Sequence, residues 1–150
     1  MRRKLSIRLH AWLIQHCPQL LMELQHQFMV SDYLSNKIKS IGELLNALLE
    51  TGHPDYIIEE ECMDALTSDL LPSRYDYLYE LVEEEFPVEF EQWKRNGIIV
   101  YELSNLVNEC NPVFDLFAFS QDNQDDRELY YTITGSVSAY LEQSAETEMA

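Results

Sequence analysis

Residues 98–107 read Ile98-Ile99-Val100-Tyr101-Glu102-Leu103-Ser104-Asn105-Leu106-Val107, and their reading decides the fold class. The first four are β-branched or aromatic and locally strand-like, whereas the residues that follow recur with helical spacing. One isolated strand cannot satisfy its own backbone hydrogen bonds, so the whole segment is read as helix. Four Gly and five Pro in 150 residues also supply few of the turns that a many-stranded sheet needs. The chain is therefore expected to be all-α, a single-domain bundle of six or seven helices spanning 1–150, with 1–4 and 144–150 frayed.

Outward from that segment the helical periodicity continues. Leu5, Leu9, Trp12, Leu13 and His16 form one amphipathic stripe, and Cys17-Pro18 ends it because the residue before proline is pushed out of the α region. Val30, Leu34, Ile38, Ile41, Leu45 and Leu48 mark a longer helix that stops at Thr51-Gly52. A third opens after Pro54 and buries Ile57, Ile58, Ala65 and Leu66. Ser73-Arg74-Tyr75-Asp76 reads as a helix N-cap, followed by Leu78, Tyr79, Val82 and Phe86 inward and closed by Pro87. Phe90 and Trp93 define a short helix up to Asn96-Gly97, Asn111-Pro112 is read as a break before a short turn at 113–117, and Ser120 to Asp126 is a polar loop. Leu129, Ile133, Val137, Tyr140 and Leu141 belong to a final helix. No internal repeat is evident.

The charge is −17 and uneven. Residues 1–75 carry seven Lys/Arg against ten Asp/Glu, and residues 76–150 carry three against seventeen. Such a field repels nucleic acid and anionic membrane over most of the surface. No run approaches the length of a membrane span, and Arg8, His10 and Gln15 interrupt the only stretch resembling a signal peptide. With Cys17, Cys62 and Cys110 far apart and without a CxxC pair, a cytoplasmic protein with three reduced thiols is expected.

Three segments, LSIRLHAWLIQHCP (5–18), PSRYDYLYELVEEEF (72–86) and FAFSQDNQDDRELYYTITGSVSAYL (117–141), together resemble an uncharacterised family of small acidic all-helical proteins of Bacteroidetes, often encoded on conjugative transposons. The resemblance rests on a helix ending at His-X-Pro, a Tyr-Asp-X-Leu-X-Glu helix start and a Leu-Tyr-Thr-X-(Leu/Ile)-Thr-Gly close. Cys17 between His16 and Pro18, and the stretch from Lys94 to Ile98, depart from it. The resemblance implies a multi-helical fold and the setting of an accessory protein of mobile DNA, and it carries no catalytic residue or cofactor.

Candidate chemistry is sparse. His10, His16, His26 and His53 lack metal-ligand spacing, so neither metal nor cofactor is expected. There is no phosphate loop, nucleophile elbow or ordered Cys/His arrangement, and an enzyme is not expected. The acids Glu80, Glu83, Glu84, Glu85, Glu89 and Glu91 are assigned to a partner-binding face, which in one form imitates the phosphate spacing of DNA. Tyr75, Tyr79, Tyr130 and Tyr131 are assigned to a groove for a protein partner. Arg2, Arg3, Lys4 and Arg8 are the one cationic cluster able to contact nucleic acid, but the rest of the surface opposes it, and the favoured reading of them is an N-terminal arm that pairs with the chain's own acidic face or with a partner. Thr134-Gly135-Ser136 is read as a close crossing of two helices, because glycine costs about 1 kcal/mol inside a helix unless something needs its small size. The leading expectation is a non-enzymatic interaction module with a protein partner and no membrane contact. The alternative is a DNA-associated subunit using the N-terminal arm. Homo-oligomerisation stays open.

Overall fold

The computed structural model describes residues 1–149, with side chains to 145. Among the described residues there are nine α-helices and no strand, two or three helices more than expected. They are α1 (Arg2–His16), α2 (Pro18–His26), α3 (Val30–Ser40), α4 (Gly42–Glu50), α5 (Asp55–Thr67), α6 (Arg74–Glu85), α7 (Pro87–Arg95), α8 (Ile99–Leu116) and α9 (Arg127–Met149), with a 3-10 turn at Ser68–Leu70. Of the segments expected to fray, residues 2–4 are helical, and residue 150 with the side chains of 146–150 lies outside the described residues.

Three differences raise the count or move its boundaries. Helix α2 is not anticipated by the sequence reading; Pro18 supplies a pre-set φ at its first position, Leu21 is buried, and Leu20 packs against the core cluster of the first unit. The run from Val30 to Leu48 is broken at Ile41, whose φ of −107° and ψ of 15° interrupt the helix while its side chain stays buried beside Ile38 and Leu45. Conversely, α8 runs straight through Asn111-Pro112. Proline there removes one backbone bond, but Asn108 and Pro112 are on the exposed side, while buried Val107, Cys110 and Phe114 hold both flanks of the helix against the core. The strand-like Ile99-Val100-Tyr101 opens α8, as the helical reading required.

The chain forms two compact units, 1–71 and 72–150, and each has its own buried cluster. In the first, Leu5, Leu9 and Leu13 of α1 meet Ile38, Ile41, Leu45 and, from α5, Ile58, Cys62 and Leu66. In the second, Leu78 and Val82 of α6 meet Phe90 and Trp93 of α7, Leu103 to Phe114 of α8, and Leu129, Ile133 and Val137 of α9. Burying each large aliphatic side chain contributes about 1.5–3 kcal/mol. The three cysteines are buried, and none is joined in a disulfide.

The two units repeat one architecture. Helices α1 and α6 end at a residue before proline with nearly the same geometry, Cys17 at φ −141°, ψ 52° and Phe86 at φ −134°, ψ 58°. A nine-residue helix follows in each, Pro18–His26 and Pro87–Arg95, and ends at a left-handed residue, Phe28 at φ 56° and Gly97 at φ 71°. The helix pairings correspond: α1 with α2, α3 and α5, and α6 with α7, α8 and α9. Leu9, Leu13 and Ile38 recur as Leu78, Val82 and Val107 after 69 residues, and Ile58, Cys62 and Leu66 recur as Leu129, Ile133 and Val137 after 71. Leu34-Ser35-Asn36 recurs unchanged as Leu103-Ser104-Asn105.

Candidate functional site

The N-terminal cations are divided by helix α1 into two sets. Lys4 and Arg8, one turn apart, turn towards α5: Lys4 Nζ lies 3.0 Å from Glu59 Oε1, and Arg8 reaches Glu59 at 3.7 Å and Glu60 at 3.6 Å. These two therefore pair with the chain's own acids. Arg2 and Arg3 instead line a cleft against α3 together with Lys39. No carboxylate among the described residues lies within ion-pairing distance of those three.

The second unit holds the expected acidic face. Glu80, Glu83, Glu84 and Glu85 are exposed on α6, Glu91 is exposed on α7, and Glu89 is half-buried in the first turn of α7. None has a cationic partner among the described residues. Glu80, Glu83 and Glu84 share one side of α6, since residues three and four apart are neighbours on a helix. Glu83 to Glu85 fill the last turn, where the backbone dipole places negative charge and each acid costs about 0.3–1 kcal/mol. At the opposite end the start of α6 is well made, with Ser73 Oγ accepting from the Asp76 N–H at 3.1 Å.

The four tyrosines do not form one groove. Tyr75 is 6% exposed and belongs to the core, so it is not available to a ligand. Tyr79 is half-buried with its ring edge-on to Phe90 at 5.1 Å. Ten residues of helix, about 15 Å, separate Tyr75 from Glu85, and it is Glu85 that Tyr130 meets. The Tyr130 hydroxyl donates to Glu85 Oε1 at 2.8 Å. Burial, and then the hydrogen bond to Glu85, push the Tyr130 phenol well above its ordinary value. Tyr131 is 68% exposed and its ring stands edge-on to Tyr130 at 6.3 Å.

The close helix crossing expected at Gly135 is absent: a Cβ placed there would meet nothing within 4 Å. Thr132, Thr134 and Ser136 turn their hydroxyls back onto the carbonyls of Glu128, Tyr130 and Thr132 in the same helix.

Residues 5–145 match the family described as a domain of unknown function, DUF1896. The chain belongs to that family. No curated protein and no solved structure matches it. Family membership leaves chemistry to be argued from the site. Among the described residues no group of three or more His, Cys, Asp or Glu is arranged to hold a metal ion, and no helix is long and apolar enough to cross a membrane.

The site reading from sequence missed two arrangements. One is the polar tie between α8 and α9, where the Tyr140 hydroxyl donates to Glu102 Oε2 at 2.7 Å with Asn105 3.5 Å away. The other is the cleft beside Arg2 and Arg3, to which α3 contributes Ser31, Ser35 and Lys39. Their spacing of four and eight residues puts them on one side of a helix and was the available signal. In the second unit, the acids of the last turn of α6 and the tyrosines of the first turns of α9 form one edge. It offers unpaired carboxylates beside an exposed aromatic ring, a combination suited to a guanidinium or ammonium group.

Proposed function

We propose that this protein is a non-enzymatic helical interaction module that captures a basic segment of another protein at the edge formed by Glu84, Glu85, Tyr130 and Tyr131. The observation that carries the reading is the Tyr130–Glu85 hydrogen bond, which ties a half-buried tyrosine and the exposed Tyr131 ring beside it to acids that have no cationic partner among the described residues. Residues 72–150 hold four Lys/Arg against seventeen Asp/Glu, so a basic partner is drawn to this unit by its overall field. The remaining acids on α6 and α7 extend the charged approach to the edge. In the setting that the sequence resemblance implies, the module serves as a cytoplasmic accessory protein of bacterial mobile DNA. Dense carboxylates on successive helices also suit imitation of DNA phosphates toward a DNA-binding enzyme. Direct DNA contact by the N-terminal arm is the weaker reading, because Lys4 and Arg8 are paired with Glu59 and Glu60.

The test is fluorescence anisotropy with a labelled arginine-rich peptide. Binding should weaken at least about tenfold between about 0.05 and 0.5 M salt, as expected for exposed charges beyond the Debye length, and a similar loss should follow Glu84→Gln combined with Glu85→Gln. Tyr131→Ala should weaken it further. Binding that ignores salt and survives these substitutions would overturn the proposal.

A further inference from the structure

The repeat allows each surface of one unit to be compared with the same register of the other, and one position stands out. The cleft beside α1 and α3 has a volume of about 390 Å³ and is lined by Arg2, Arg3, Ser6, Ser31, Ser35 and Lys39 over an apolar floor. It concentrates three cations and three hydroxyls and no carboxylate, in a chain that carries 27 acids against 10 Lys/Arg. The other seven cations lie elsewhere on the chain, four of them (Lys4, Arg8, Lys37 and Arg74) in ion pairs with its acids; these three line one cleft.

The counterpart of Ser6 in the second unit, 69 residues on, is Tyr75, which is buried in the core there. The counterparts of Arg3 and Lys39 are the uncharged Pro72 and Asn108. A single scaffold thus carries a large side chain and no charge in one copy, and a small hydroxyl with cations around it in the other. Packing alone explains the tyrosine. It does not explain three cations brought together without acids, since their mutual repulsion works against folding. The Arg2 guanidinium reaches the start of α4, with Nη2 3.8 Å from where a Cβ on Gly42 would stand.

We infer that this cleft is a binding site for a phosphate group carried by a small molecule. Guanidinium forks bind tetrahedral oxyanions with two parallel hydrogen bonds, and an ammonium adds a point charge from the opposite wall. Serine hydroxyls donate to the remaining oxygens. The volume falls in the range of small-ligand sites, about 300–1,000 Å³, and accommodates a diphosphate with room for part of what it is attached to. The site lies wholly within the first unit and is independent of the acidic edge proposed above.

Amide chemical-shift mapping on the full-length chain tests the inference, with inorganic pyrophosphate and ADP as probes. Pyrophosphate at up to about 5 mM, spanning affinities down to about 1 mM, should shift the amides of Ser6, Ser31, Ser35 and Lys39 in a saturable manner. Ser6→Tyr, which installs the side chain of the second unit, should reduce the affinity at least about tenfold. Arg3→Gln with Lys39→Gln should do the same while leaving the far-UV circular dichroism unchanged, and this pair keeps the test decisive if Ser6→Tyr fails to fold. Lys94→Gln in the second unit should change nothing. Tighter binding of ADP than of pyrophosphate assigns the phosphate to a nucleotide, and equal binding assigns it to the phosphate moiety alone. Shifts that fail to saturate, that spread equally to Arg74, Lys94 and Arg95, or that persist in the Arg3/Lys39 variant would overturn the site.

Discussion

Substituting Gly135 by alanine should stabilise the protein, and the size of the effect follows from the structure. Gly135 lies inside α9, exposed, with nothing within 4 Å of the place a Cβ would take, so the methyl neither clashes nor gains a packing contact. What remains is the backbone entropy that glycine loses on folding, worth about 0.5–1 kcal/mol relative to alanine. Unfolding entropy near the midpoint is about 2.1 cal/mol/K per residue. For the 79 residues of the second unit that is about 0.17 kcal/mol/K, so the transition should rise by about 3–6 °C. If all 150 residues melt together, the same energy raises it by about half as much. Differential scanning calorimetry of Gly135→Ala reads both the sign and the size. The contrast is Gly97→Ala, where φ of +71° makes a side chain strained, and the expected change is a loss of about 1 kcal/mol. A lowered or unmoved midpoint for Gly135→Ala would refute the reasoning and show that a neighbour closes on this helix after all.

Glu84→Lys should stabilise α6 by about 1 kcal/mol, because it removes repulsion with Glu80 one turn earlier and places a cation at the negative end of the helix. The same change should reduce binding of the arginine-rich peptide, so urea midpoint and anisotropy should move in opposite senses. Phe28→Gly should stabilise the first unit by about 1 kcal/mol, since Phe28 is 93% exposed at φ +56° and Gly97 occupies the matching place at no steric cost; a lower urea midpoint would count against it. Lys37→Met should cost about 1–3 kcal/mol, because the Lys37 ammonium donates to the Leu66 carbonyl at 2.9 Å and pairs with Asp69; an unchanged midpoint in chemical denaturation would disprove that role. Tyr75, Tyr77 and Tyr140 are pushed up to about 12, chiefly by burial, against about 10 in an unfolded chain. The stability this gives is fully present below about pH 10 and is lost as pH rises through about 12, so phenolate absorbance should rise steeply together with loss of helical circular dichroism; a gradual rise with helix intact would contradict it.

The helical class and most helix positions are readable from spacing because they depend on local rules: Leu5, Leu9 and Leu13 do lie on one buried stripe, Cys17-Pro18 does end α1, and Ser73 does cap α6. Three features resisted because they depend on what lies across the core. Pro112 is tolerated only because Cys110 and Phe114 hold α8 on both sides. Gly135 looked like a crossing point, but the cost of a glycine says only that something could need its smallness. The repeat escaped because its units share a register of buried positions and few residue identities; Leu34-Ser35-Asn36 and Leu103-Ser104-Asn105 are the only run of three, beside single matches such as Leu9 with Leu78 and Pro18 with Pro87. Of the proposed site residues, Tyr75 was misplaced for a related reason. A tyrosine at a helical core position and a tyrosine facing a ligand have the same spacing, and only neighbours such as Leu78 and Phe90 distinguish them.

The shared architecture also bears on the acids of α6. The last turn of α1 occupies the same register as the last turn of α6, and there Ile14, Gln15 and His16 stand where α6 has Glu83, Glu84 and Glu85. Both helices then end at a residue of closely similar backbone geometry before proline. The turn therefore forms without acids, and a basic residue in its last position agrees with the helix dipole whereas glutamate opposes it. Neither the fold nor the local backbone asks for three carboxylates at that place. One of them is nonetheless held by a tyrosine from α9, so the negative charge is both costly and positioned. That combination supports the proposed capture of a basic segment at this edge, because a local rule is broken there with no compensating gain for the helix that carries it.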